Sequence, residues 1–367
     1  MKDKDREENI VRFFECLLPV TICNLKCDYC YVMQRNNRTM KKAELKFSPQ
    51  HIGKCLSKER LGGTCYFSIC GAGETLAQPE IVEIVNEILK QGHLVNVTTN
   101  GTITGTFKKF AKIESELLKK LHFSFSFHYL ELKRLNLLET FFNNVRYVHS
   151  LGCSYMVQIN LCDSYLEHIE EIKTICKKEV GAMPQVAATR KESKGLTDIE
   201  LFTNLSKDEY IKIGRSFDSP LFEYTMKNFN VKREEFCYAG DRSGCLNLAT
   251  GALKKCYGDP FPQYIFNNSE KKIKFEPIGK NCYSRFCFNS SHFISLGVID
   301  GLDDNINYYN LRDRENAGWF NDTLRRYLSK KLSGNNVKYS KFKLKKIDLK
   351  ESVKVDLIKI RNIIKKG

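Results

Sequence analysis

The chain has 367 residues, 42% of them hydrophobic, and a formal net charge of +16. That length exceeds one ordinary domain and that apolar content excludes a disordered polymer, so the expectation is one large domain with a sizeable core plus an appendage. The first residues, MKDKDREENI, lack the apolar run of a secretion signal, and no uninterrupted apolar segment nears the roughly 18 residues of a membrane span, which predicts a cytoplasmic protein with no membrane span.

Strand and helix signals alternate from about residue 11 to 190. FFECLLPV is an apolar run ending at a cysteine-rich loop, and CYFSIC (65–70) is a second run followed by glycines. In PEIVEIVNEILKQG (79–92), Ile81, Val82, Ile84, Val85, Ile88 and Leu89 form a helical stripe, with Pro79 at its start and Gly92 past its end. There follow strand 93–99, helix 106–120, strand 122–127, helix 130–150, strand 154–160, helix 165–178 and strand 183–189. Repeated strand–helix units imply a parallel sheet, and six of them can curl into an open (β/α)6 barrel whose ligands bind beyond the carboxyl ends of the strands. The domain reading is therefore a partial α/β barrel over 1–195, a helical connector over 196–235, a small cysteine-rich domain over 236–300 and a carboxyl-terminal region over 301–367. The only tryptophan, Trp319 in NAGWF, is expected to pack.

Fifteen cysteines in a chain of the reducing cytosol argue for metal ligands over a disulfide framework. Three fall in eight positions of TICNLKCDYCYV, at Cys23, Cys27 and Cys30. Structural zinc takes four protein ligands, and catalytic zinc commonly includes histidine. Three thiolates in a short loop suit an iron–sulfur cluster better, each on a separate iron, and a four-iron cube would keep one iron open to a ligand.

This loop resembles the radical S-adenosylmethionine superfamily, whose C-x3-C-x2-C signature is matched by Cys23, Cys27 and Cys30, with Tyr29 at the aromatic position that lies near adenine in the family. CGAGETL places Gly71, Ala72, Gly73 and Glu74 where the family commonly carries Gly-Gly-Glu-Pro, a motif that receives the ammonium of the methionine portion; Ala72 and Thr75 depart from it. VTTNGT resembles the family's Thr-Asn-Gly and brings in Asn100, while Ser124 and Ser126 share one side of a strand where relatives often place a hydroxyl near the cofactor. Gln158 and Asn160 share a face on the fifth strand and could reach into the barrel toward the cofactor, the alternative being simply the polar side of a strand. The family's usual Asp-Gly is replaced by Phe127-His128-Tyr129; His128 could contact substrate, but its plain reading is a satisfied or solvent-facing histidine. Cys162, at a strand end, is a candidate hydrogen-atom donor.

Further along, thirteen residues separate Cys237 from Gly251 and four separate that glycine from Cys256, and NCYSRFC adds Cys282 and Cys287. The first half resembles the C-x(9–15)-G-x4-C element of SPASM and twitch domains, and the absence of a longer cysteine run after 280 favours a shortened, twitch-like unit with one auxiliary iron–sulfur cluster. Four thiolates satisfy zinc equally well, and Cys245 is a spare thiol that could substitute as a ligand or merely pack.

The resemblance implies a [4Fe-4S] cluster, reductive cleavage of S-adenosylmethionine to a 5'-deoxyadenosyl radical, a flavodoxin- or ferredoxin-like electron donor, and oxidation, crosslinking or epimerisation of a peptide or protein side chain. A carbohydrate or other small-molecule substrate is the alternative within the family. An iron–sulfur electron carrier or zinc-stabilised binding module is the alternative outside it. From Lys338 to Gly367 there are eleven Lys or Arg against three acidic residues. Such a tail could touch a nucleic acid, a membrane surface or an acidic partner, but no aromatic–basic platform accompanies the charge, so a nucleic-acid partner is not expected and the plain reading is a solvated segment; YSKFKLKKIDL alternates as an edge strand with lysines in water would.

Overall fold

The structure is a computed structural model that describes residues 9–192, 199–282, 284, 286–287, 289–314 and 317–364, with side chains as far as Val355. The start of the expected connector and the last three residues of the basic tail lie outside the described residues.

Strands β1 (Arg12–Leu18), β2 (Cys65–Gly71), β3 (Leu94–Thr99), β4 (Leu121–Ser126), β5 (Ser154–Leu161) and β6 (Gln185–Ala188) pair in parallel in that spatial order, forming an open partial barrel. Apolar runs such as Cys65–Gly71 are buried on both faces because crossover helices cover the outside. Helix α1 (Pro49–Cys55) precedes β2, and α2 (Ile81–Lys90) buries Ile81, Ile84, Val85, Ile88 and Leu89. Helices α3 (Thr104–Phe110), α4 (Leu138–Ser150) and α5 (Ile169–Val180) complete the crossovers.

Three expected helices are shorter than their patterns. The 106–120 segment breaks after Phe110 and resumes as Ser115–Leu118. The 130–150 segment is a turn at Tyr129–Arg134 followed by α4, because Asn136 sits in the left-handed region at φ 56° and stops helix propagation. The 165–178 segment opens as a 3-10 turn, Asp163–His168, before α5 ends on Gly181. The connector contains α6 (Lys207–Arg215), started by a capping box of Ser206 and Glu209, and α7 (Pro220–Asn228), with Pro220 at its first turn.

The cysteine-rich segment is joined to the barrel sheet. Strand β7 (Ser243–Asn247) pairs in parallel with β1, and β8 (Ala252–Lys254) and β9 (Gln263–Tyr264) follow antiparallel, so a nine-stranded sheet runs β6-β5-β4-β3-β2-β1-β7-β8-β9. The hairpin thereby covers an edge that β1 would otherwise expose.

The amino-terminal ends of β5 and β6 are closed by the segment around α8 (Tyr308–Arg312) and α9 (Asp322–Leu328). Trp319 is fully buried, its Nε1 donates to Val180 O at 2.9 Å, and its carbonyl accepts from Tyr155 N at 2.9 Å. Arg314 Nη2 donates to Pro184 O at 2.7 Å, and Gln185 Nε2 to Arg312 O at 3.1 Å. Packing is thus the observed state of the tryptophan. With this end plugged, the carboxyl ends of the strands form the open end. The basic tail is a helix, α10 (Lys341–Ile364), in place of the edge strand its alternation suggested. Its lysines and apolar residues both recur on the exposed side of the helix, and a short run in which they alternate does not tell a strand from a helix.

Replacing Trp319 with Ala removes the plug's largest side chain, and the expected cost is about 3–5 kcal/mol in urea unfolding; a loss under about 1 kcal/mol would contradict its place in the core. Burial also drives the pKa of His93 down to about 4 and that of His122 to about 3. Unfolded, both titrate near 6.5, so between about pH 6.5 and 4 the unfolded chain binds more protons and stability falls as pH falls. The urea midpoint should be lower at about pH 5 than at about pH 7.5; an equal or higher midpoint at the acid pH would contradict neutral burial.

Candidate functional site

Beyond Leu18 the chain loops through Cys23, Cys27 and Cys30 into the short helix Tyr31–Gln34. The loop continues the parallel pairing past the strand: Ala72 N donates to Leu18 O at 3.2 Å, Gly73 N to Val20 O at 2.6 Å and Glu74 N to Ile22 O at 2.7 Å. Position 73 must be glycine, since a Cβ there would strike the Ile22 carbonyl oxygen.

Glu74 is 2% exposed. Its Oε1 accepts from Leu76 N at 2.9 Å and Thr99 Oγ1 at 2.6 Å, and its Oε2 from Asn100 N at 2.6 Å. Burial pushes this carboxyl up and the three donors pull it back. All three donors are uncharged. Asn100 then reaches the cysteine loop, with Nδ2 donating to Asn24 Oδ1 at 2.9 Å and lying 3.8 Å from Cys23 Sγ. Two further clamps had no signal in the sequence: Arg38 Nη2 donates to Cys23 O at 2.6 Å, and Lys26 N donates to Glu131 Oε2 at 2.6 Å.

Tyr29 stands behind the loop. Its hydroxyl is 2.6 Å from His128 Nδ1 and 2.9 Å from Tyr165 Oη. His128 is therefore a satisfied histidine, held neutral by burial with its pKa near 4. The Cys27 thiol is pushed up by burial and by the neighbouring Cys23 and Cys30 sulfurs, so the three thiols share one field.

A cavity of about 1130 Å³ opens at this end of the barrel. Cys23, Cys27, Cys30, Tyr29, Gly71, Ala72, Gly73, Glu74, Asn100, Ser126, Gln158 and Asn160 all line it. Two candidates lie outside its lining. Ser124 Oγ donates to Asn96 Oδ1 at 2.9 Å, deeper in the barrel. Cys162 is buried beside Ser164 Oγ at 3.2 Å, with its thiol pushed up to about 12 by burial, and the geometry gives it no access to the cavity.

The auxiliary cysteines also converge. Gly251, at φ 71°, turns β7 into β8, and its N–H donates to Asn247 O at 2.8 Å. Cys237 is bridged to Gly279 by bonds of 3.1 and 3.0 Å. The Cys237 thiol is pushed up to about 12 by burial, with Cys256 and Cys282 adding to it. The Cys287 thiol is raised by burial and by Cys256, Cys237 and Cys282. Cys245 hydrogen-bonds Cys256, and both Cys245 and Cys287 line the main cavity. Among the described residues, no group of three or more His, Cys, Asp or Glu side chains is arranged to hold a single metal ion. Soft thiols in sets of three and four fit iron–sulfur clusters, whose ligands bind separate irons.

Residues 17–177 match the family model of the Radical SAM superfamily. Similar solved structures include Streptococcus suis SuiB bound to S-adenosylmethionine, at 17% identity over 72% of this chain and 66% of that one, with a TM-score of 0.48. SuiB bound to precursor peptide SuiA matches at 16% identity over 72% and 64%, TM-score 0.43. Native anSMEcpe with bound AdoMet matches at 17% identity over 71% and 80%, TM-score 0.48. The chain spans slightly less than two thirds of the SuiB chains. Comparison with curated protein sequences gives no match. The three-cysteine loop and strands β2 to β5 thus lie within a radical SAM domain.

Proposed function

We propose that Cys23, Cys27 and Cys30 hold a [4Fe-4S] cluster with one iron open to S-adenosylmethionine, and that the enzyme oxidises, crosslinks or epimerises a side chain of a peptide or protein. The observation that carries the reading is the convergence of three thiols on a cavity whose wall holds a buried carboxylate with only neutral donors, Glu74. A buried anion without a cationic partner favours a ligand that brings one, such as the ammonium of S-adenosylmethionine. When bound, the cluster would supply the electron for reductive cleavage of S-adenosylmethionine, the source of a radical able to attack an unactivated carbon–hydrogen bond.

The protein's own tasks are positional. Gly71, Ala72 and Gly73 would offer main-chain acceptors, beside Glu74, to the ammonium of S-adenosylmethionine. Tyr29 presents the loop to adenine while its hydroxyl anchors to His128 and Tyr165. Ser126, Gln158 and Asn160 offer hydrogen bonds to the cofactor or substrate from the far wall. Cys237, Cys256, Cys282 and Cys287 would hold an auxiliary iron–sulfur cluster, which supplies an electron acceptor for a net oxidation. The external reductant would be a flavodoxin- or ferredoxin-like protein. A peptide is supported by half-exposed Leu17, Tyr31, Met33 and Tyr257 in the lining, which can receive apolar side chains.

Anaerobically reduced protein is expected to cleave S-adenosylmethionine to methionine and 5'-deoxyadenosine, and Cys30→Ala to abolish the cleavage; cleavage that survives in the variant would sink the assignment. In Tyr29→Phe, loss of two hydrogen bonds at the loop should weaken S-adenosylmethionine binding about 3- to 10-fold in an equilibrium titration. Unchanged affinity would show that the Tyr29–His128–Tyr165 network does not hold the binding loop.

A further inference from the structure

Helix α10 segregates its charges by side. The acidic residues of its described side chains, Asp348 and Glu351, both face the protein. Asp348 Oδ1 accepts from Lys280 N at 2.8 Å and its carbonyl from Asn281 Nδ2 at 2.9 Å. Glu351 pairs with Lys255 Nζ at 3.0 Å and Lys354 Nζ at 2.6 Å. Lys350 is pinned to Glu276 at 2.8 Å. These bonds lay one face of the helix on the cysteine-rich segment and leave the opposite face with no acidic residue among the described side chains.

That outer face is apolar along its centre. Phe342, Leu349 and Val353, spaced by seven and four residues, fall on one stripe and are 79%, 70% and 53% exposed. Exposed Lys341, Lys345 and Lys346 lie along it, and Val337, just before the helix, is 81% exposed. A soluble surface helix turns its apolar stripe inward. This one is anchored through Asp348 and Glu351 and shows its largest apolar side chains to water, ringed by cations.

We propose that the outer face of α10 docks on an anionic lipid bilayer. The ridge is one side chain wide and convex, so it offers no groove to a folded partner, whereas headgroups and acyl chains accommodate such a ridge: the apolar residues enter the interface and the lysine ammoniums remain at the phosphates. The positive charge of the whole chain, +16, adds attraction to an anionic surface. No helix among the described residues is long and apolar enough to cross a membrane, so the contact is peripheral.

The test is flotation of the full-length, cluster-loaded protein with vesicles of phosphatidylcholine alone or mixed with phosphatidylglycerol. The bound fraction should be at least about tenfold higher on the anionic vesicles. It should fall by a similar factor in Phe342→Glu/Leu349→Glu/Val353→Glu and in Lys341→Gln/Lys345→Gln/Lys346→Gln, with iron content and circular dichroism unchanged in both. The six positions are exposed, so the variants should fold. Equal flotation on both vesicle types, or undiminished flotation of both variants, overturns the proposal. So does failure to float combined with binding of the same face to a polyanion such as heparin, or with dimerisation that the Glu variant abolishes.

Discussion

A single buried carboxylate organises the open end of this barrel. Glu74 stands at the end of β2, its N–H taken by Ile22 of the cysteine loop and its two oxygens by Leu76, Thr99 and Asn100. The loop, β2 and the β3 turn are therefore fixed to one another by one side chain and its own peptide. Asn100 extends that tie to Asn24 and to within 3.8 Å of Cys23 Sγ, and Gly73 is left without a side chain so that the loop backbone can lie on it. Placement of the three thiols follows from these bonds, since a loop with no regular structure would otherwise have no reason to hold three sulfurs in one orientation. An anion kept from water by neutral donors alone also leaves an electrostatic demand that a cationic ligand meets.

The second feature is continuity. Strand β7 lengthens the barrel sheet at β1, so the hairpin bearing Cys245, Gly251 and Cys256 is built on the same sheet as the three-cysteine loop. Cys245 and Cys287 line the same cavity as Cys23, Cys27 and Cys30. Glu15, on the shared strand β1, reaches across this junction: His292 Nδ1 is 3.1 Å from its Oε2, and Asn289 Nδ2 donates to the same oxygen at 3.2 Å while lying 3.3 Å from Tyr257 Oη. One sheet thus carries the three-cysteine loop and the hairpin of the second cysteine group, and Cys287 of that group opens on the same cavity.

Much of this was legible in the residues. The strand runs and the helical stripe of 81–89 announce themselves by period, and the cysteine spacings, the glycines at 71, 73 and 251 and the Thr-Asn-Gly turn stand in the sequence where the structure uses them. What was not legible depends on partners distant in the chain. Arg38 and Glu131 clamp the cysteine loop from fifteen and 105 residues away, and neither belongs to a spacing pattern. Ser124 and Ser126 share a strand face, yet only Ser126 reaches the cavity, because depth along the barrel is not encoded in alternation. The tail alternates like a strand over YSKFKLKKIDL but forms a helix, since Asp348 and Glu351, three residues apart, find partners in 255 and 280–281 that only a helical spacing can reach together.

The central claim is that Cys23, Cys27 and Cys30 hold an iron–sulfur cluster with a coordination site open to S-adenosylmethionine. The most direct measurement is an anaerobic iron and sulfide count combined with electron paramagnetic resonance, on the wild type and on Cys23→Ala/Cys27→Ala/Cys30→Ala. The account predicts about eight irons falling to about four in the variant, and a reduced-cluster signal in the wild type that changes when S-adenosylmethionine is added. Iron content unaffected by the triple substitution, or a signal indifferent to S-adenosylmethionine, would contradict it.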